Sequence, residues 1–202
     1  MTEESQKTGN LAEAMEHART LMDQNPEQAV LQLSEILEAV PDYSPAMLLK
    51  ATGLRRLSEP QLALEIIQPL VGQHADWADL QFECALILSG LHRGEEAMTA
   101  LENVIAAAPD HPEAWRLLAD HAAAVGDQEK SEVAYLRHLR CAAQNVELQQ
   151  AAAAMISNDL PIAERLLKSR LKSAPTDVTA VRMLAEVAVR VGRNDEAQSL
   201  LE

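Results

Sequence analysis

The sequence predicts an all-α protein, an α-solenoid of about six helix–turn–helix repeats with the last one truncated. Three observations carry this prediction. Hydrophobic residues make up 48% of the 202 residues but aromatic ones only 2%, so a core has to be built from Ala, Leu, Val, Ile and Met. No run of β-branched and aromatic residues alternates with period two, so strands have no candidate. Small residues recur at Ala29, Ala63, Ala97, Ser131, Ala163 and Ala197, in steps of 34, 34, 34, 32 and 34.

The clearest copy of the unit runs from Pro112 to Leu139. Trp115, Leu118, Ala119 and Ala122 form one helical stripe, Gly126-Asp127 make a turn, and Val133, Ala134 and Leu136 belong to a second helix. One hairpin of this size cannot bury its apolar stripe alone, so it needs neighbours of the same kind. Four residues after each small residue stands a larger one: Leu33, Ile67, Leu101, Tyr135, Leu167 and Leu201. Twelve residues before stands another small one, Ala51, Ala85, Ala119, Ala151 or Ala185, with His17 breaking the pattern in the first unit. Helices cross closely only where side chains are short, which is why small residues recur there.

In chain order, residues 1–9 are polar and read as a flexible tail. The repeats follow at 10–43, 44–77, 78–111, 112–143, 144–177 and 178–202 as one continuous array. The first unit is one residue out of phase, and a turn shortened at Asp23–Asn25 restores the register. Pro26, Pro60 and Pro161 open second helices, where a missing N–H costs nothing. Pro41, Pro109 and Pro175 stand where those helices stop. Ser58, His92 and Asn158 hold the place of the turn glycine, and Asp127 and Asn194 are natural N-caps. Pro69 is expected to end or kink its helix near Gln68, with a loose connection to Trp77. Glu147 and Gln150 replace apolar residues, so the first helix of the fifth unit is expected to pack weakly. The two residues missing from the 32-residue step fall near Cys141–Asn145, where a weak seam is expected. The chain stops halfway through its last helix, and it reads as an excerpt of a longer protein, the alternative being a natural end.

The pattern resembles the tetratricopeptide repeat family, whose unit is a 34-residue helix–turn–helix. The resemblance covers residues 10–202. Trp115, Leu118, Ala119, Gly126, Ser131 and Tyr135 occupy the signature places of the best copy, and Leu184, Ala185, Gly192, Ala197 and Leu201 those of the next. It implies a right-handed superhelix whose first helices line a concave face that binds a protein or peptide. Residues 161–202 also resemble the repeat region of bacterial sulfotransferases that carry such repeats. Those enzymes use 3′-phosphoadenosine 5′-phosphosulfate on a strand–loop–helix unit that nothing in this chain can form. Any such activity would belong to sequence beyond Glu202.

The formal net charge of −14 argues against nucleic acid as a partner. The start MTEESQKTGN has no positive n-region and no apolar run follows that could enter a membrane, so the reading is cytoplasmic, with free Cys84 and Cys141. No phosphate-binding glycine loop or HExxH occurs, and His138 and Cys141 alone do not make a metal site. No catalytic residue, metal or cofactor is therefore assigned, and the chain reads as non-catalytic.

The binding reading rests on the first helices. One row of the expected concave face carries Leu48, Phe82, Arg116, Leu148 and Arg182, and a second carries Thr52, Leu86, Asp120, Ala152 and Glu186. Arg55, Arg56 and Arg190 lie a turn further on. The candidate peptide-binding residues are thus Arg55, Arg56, Phe82, Arg116, Asp120, Arg182, Glu186 and Arg190. Their guanidinium groups suit a carboxylate or a peptide backbone. The carboxylate clamp of the family places Lys and Asn where this chain has other residues, so a receptor for chaperone tails is not indicated. The uncovered last helix offers a surface for self-association.

Overall fold

The structure is a computed structural model that describes residues 3–143 and 145–201, with side chains from Leu11 onward. The described residues form α-helices and no strand. They are α1 (Glu3–Gln24), α2 (Pro26–Ala39), α3 (Ser44–Arg56), α4 (Pro60–Gln73), α5 (Ala78–Gly90) and α6 (Gly94–Ala107), then α7 (Pro112–Ala124), α8 (Gln128–Ala142), α9 (Val146–Ile156), α10 (Leu160–Ser173), α11 (Val178–Arg190) and α12 (Asn194–Leu201). The chain divides into two compact units, residues 1–109 and residues 110–202.

In the first unit α1, α3 and α5 pair with α2, α4 and α6, while α2 also packs on α3 and α4 on α5. In the second, α7, α9 and α11 pair with α8, α10 and α12, and α8 packs on α9 and α10 on α11. The small residues that set the period are the crossing points. Ala29, Ala51, Ala63, Ala85, Ala97, Ala151 and Ala163 are fully buried. So are Leu33, Ile67, Leu101 and Leu167, one turn further along the second helices.

Five hairpins share one turn. In each, three residues separate the helices, and the middle one lies in the left-handed region: Ser58 (φ 62°), His92 (φ 58°), Gly126 (φ 84°), Asn158 (φ 57°) and Gly192 (φ 78°). Two reversed hydrogen bonds close each turn. Around Ser58 they run from Ser58 N–H to Arg55 C=O (3.0 Å) and from Glu59 N–H to Leu54 C=O (2.9 Å). The same pair recurs around Gly126, from Gly126 N–H to Ala123 C=O (3.1 Å) and Asp127 N–H to Ala122 C=O (2.9 Å). This is a Schellman motif, which satisfies carbonyls the helix end would otherwise leave unpaired. The residue after the left-handed one directly precedes the next helix, and Asp127 and Asp159 there cap it by accepting from Lys130 N–H and Ile162 N–H. The expected cap Asn194 is instead the first residue of α12. Only Asn25 separates α1 from α2, which gives the shortened first turn.

Several expectations are corrected. Helix α1 begins at Glu3, so helix extends into the stretch read as a tail, of which residues 1 and 2 lie outside the described residues. Pro69 does not end its helix, because α4 runs on to Gln73 and His74 N–H bonds Leu70 C=O at 2.9 Å. Ile67 and Leu70 are buried on either side of the proline, and that packing outweighs the one hydrogen bond it removes. Helix α9 starts two residues late relative to Ala151, as the 32-residue step requires, and the apolar core runs on across that junction. Leu139, Ala143 and Leu148 are buried across the shortened link, and the division of the chain falls at Pro109–Asp110 instead. Nor does α9 pack weakly. Glu147 and Gln150 face outward while Leu148, Ala151, Ala152 and Met155 are buried.

Candidate functional site

The candidate residues fall into two groups, those tied into the fold and those left facing a cavity. In the first unit, Arg55 leaves the last turn of α3 and grips Glu83 of α5, Nε to Oε1 at 2.5 Å and Nη2 to Oε2 at 3.3 Å. Glu83 is buried, so this two-pronged, charge-assisted pair compensates a carboxylate that would otherwise be costly in the interior. Arg56, the last residue of α3, donates to Met22 C=O (3.1 Å) and Asp23 Oδ1 (3.1 Å). Phe82 is half-buried on α5.

Arg190 ends α11 as Arg56 ends α3, and it does the same work in the second unit. It donates to Met155 C=O of α9 (3.1 Å), pairs with Glu186 Oε1 (3.2 Å), and pairs with Glu132 of α8. At two first-helix ends, then, an arginine reaches back one repeat and neutralises the carbonyl end of the preceding first helix. Burial holds the Arg190 guanidinium below its ordinary pKa.

Arg116 and Arg182 are placed differently. Both line a cavity of about 540 Å³ in the second unit, with Tyr135, His138, Asn145, Leu148, Arg170 and Thr179 among its other walls. Arg116 is exposed and pairs along its own helix with Asp120 at 2.9 Å. Arg182 is exposed on α11, and no described carboxylate is paired with it. Arg170 is held by Asp177 at 2.9 Å, and Asp177 also caps α11 by accepting from Ala180 N–H at 3.1 Å. Burial alone would raise the Asp177 carboxyl, but the Ala180 N–H and Arg170 outweigh it and hold it below its usual range. His138 Nδ1–H donates to Pro112 C=O at 2.9 Å, fixing the ring at the cavity edge.

Tyr135 is placed by the sequence pattern in the repeat core and not among the site candidates. Its counterparts Leu33, Ile67, Leu101 and Leu167 are fully buried, whereas Tyr135 is 37% exposed and Leu201, in the last helix, 64%. Tyr135 lines the cavity that lies beside the late start of α9. The 32-residue step was the available signal. Cys84 offers no chemistry: burial, its largest influence, pushes the thiol up to about 11, far from a reactive thiolate. Cys141 turns towards Asp110, Sγ to Oδ1 at 3.9 Å, rather than joining His138 on a common ion.

Residues 82–146 match the family described as Tetratricopeptide repeat. The chain has the tetratricopeptide repeat fold. A tetratricopeptide repeat protein from Parabacteroides merdae superposes with a TM-score of 0.60 at 17% identity, over 94% of this chain and 77% of that one. A thermophilic protein of the same repeat class from Thermus thermophilus gives 0.58 at 17% identity, over 89% and 99%. MamA gives 0.57 at 15% identity, over 92% and 89%. The resemblance of the last third to sulfotransferase repeats has no counterpart in these three. No curated protein matches the chain in sequence. No helix among the described residues is long and apolar enough to cross a membrane.

Proposed function

We propose that this chain is a non-catalytic scaffold that binds a protein or peptide on the face formed by its first helices, with the second unit as the principal contact. The observation that carries the reading is the meeting of Arg116 and Arg182 on one cavity, from helices α7 and α11 that are 66 residues apart at their starts. Arg55, Arg56 and Arg190 serve that scaffold by holding successive first helices together.

The test is a peptide library panned against the wild type and against the double variant Arg116→Glu with Arg182→Glu. Enrichment of peptides on the wild type and its loss on the variant, with unchanged thermal unfolding, is the expected result. Equal enrichment on both would move the interaction to another face.

A further inference from the structure

We infer that the cavity at the shortened junction of the second unit is a pocket for an acidic peptide segment, whose carboxylate pairs with Arg182 while its chain lies against Tyr135. This rests on the scaffold reading above and specifies its ligand. Three independent features of the molecule converge on it.

The first is charge. Residues 1–109 carry 17 acidic and 6 basic residues, so an anionic segment is repelled there. Residues 110–202 carry 14 acidic and 11 basic residues. Near balance lets a local basic cluster act without a strong opposing field. Arg116, Arg170 and Arg182 all reach the same cavity, and Asp177, the carboxylate in its lining, is paired with Arg170.

The second is the state of those three. Arg170 is committed to the partly buried Asp177, and Arg116 to the exposed Asp120. Arg182 has no such partner among the described carboxylates. An exposed ion pair such as Arg116–Asp120 contributes little and exchanges readily, so a ligand carboxylate can recruit Arg116 as well. Planar guanidinium groups match carboxylates with two parallel hydrogen bonds.

The third is Tyr135. A large ring with a hydroxyl tip, 37% exposed at a position that is buried in four other repeats, is the kind of side chain that carries binding energy at little entropic cost. It stands in the wall of the cavity beside the shortened junction. The neighbouring walls add the Asn145 amide and the Thr179 hydroxyl, both able to bond a peptide backbone.

The experiment titrates the full chain with hexaglutamate, hexaglutamine and inorganic phosphate at low ionic strength, followed by calorimetry and by Tyr135-dependent fluorescence. Hexaglutamate is expected to bind at least tenfold more tightly than hexaglutamine, and to weaken as salt is raised. Arg182→Gln is expected to remove at least tenfold of that affinity, and Tyr135→Ala a similar share. Both variants are expected to keep the wild-type unfolding temperature, since neither side chain is buried. Phosphate binding more tightly than hexaglutamate would overturn the proposal in favour of a small-oxyanion site. Hexaglutamate affinity unchanged in Arg182→Gln would place the acidic segment elsewhere and overturn it too. Library peptides that are retained but not acidic would defeat this inference and leave the scaffold reading intact, whereas a library with no retained peptide would defeat the scaffold reading itself.

Discussion

Gly53 lies inside α3, in its last turn, where helix propensity and packing make opposite demands. Replacing a helical glycine by alanine ordinarily stabilises by about 1 kcal/mol, because less backbone entropy is lost on folding. Here a Cβ on Gly53 would stand 2.6 Å from Val30 Cγ2 and 3.1 Å from Met22 Cε. Met22 is flexible at its end and can yield. Val30 cannot, since a β-branched side chain in a helix has one strongly preferred rotamer, so α2 and α3 must separate. Overfilling of that kind costs about 1–3 kcal/mol and outweighs the propensity gain. Gly53→Ala is therefore expected to destabilise by about 1 kcal/mol net, a fall of about 2–4 °C in the unfolding temperature for a chain of this size. The assay is thermal unfolding by far-UV circular dichroism, with two companions. Gly72 has nothing within 4 Å of its would-be Cβ, so Gly72→Ala should raise the unfolding temperature instead. Val30→Ala made in the Gly53→Ala background should recover part of the loss, since the two sites couple. A rise on Gly53→Ala matching that on Gly72→Ala would refute the close approach of the two helices.

Three further outcomes are expected. His92→Gly relieves a left-handed residue at a turn and should stabilise by about 0.5–1 kcal/mol, seen as a later denaturation midpoint; a fall would mean that the histidine side chain has a role in the turn. Ala119→Trp overfills a buried helix crossing in the second unit and should cost about 1–3 kcal/mol, and unchanged stability would show that the repeat register is misassigned. Glu164 accepts from both Arg193 Nη groups (3.1 and 2.7 Å) and from Lys168 (2.5 Å), and Arg193, then Lys168, draws its carboxyl from 4.5 down to about 2. Because the folded value is the lower one, this contribution is present above pH 4.5 and is lost as pH falls towards 2. Acid titration of Glu164→Gln should accordingly show a flatter stability profile in that window than the wild type.

The helices and their phase were legible because the crossing residues are small for a steric reason that leaves a mark in the sequence. The same holds for the turns: Ser58, His92 and Asn158 could be assigned to the glycine place by register alone, and all three adopt positive φ. Pro69 is a stop signal in the sequence, yet α4 continues past it, with the buried Ile67 and Leu70 beside it holding the last turn together. The candidate site was only partly legible. Arg116 and Arg182 stand at equivalent places of α7 and α11, and both line one cavity. Arg55, Arg56 and Arg190 find their partners in the preceding or following repeat, so a reading of one helix at a time left them looking free. Tyr135 holds a repeat-core place in the sequence pattern, and its exposure at the cavity wall shows only in the folded chain.

The shared turn also bears on how such proteins diverge. Each of the five turns is closed by main-chain hydrogen bonds and asks of its side chains only that one residue tolerate the left-handed region. Together with two short residues per repeat, this is a small set of demands on sequence space. Neutral drift can then replace most other positions without disturbing the hairpin, which fits a TM-score of 0.60 at 17% identity. Surface chemistry in this architecture is accordingly free to change almost independently of the scaffold, and a lineage can exchange one ligand for another without first rebuilding its fold.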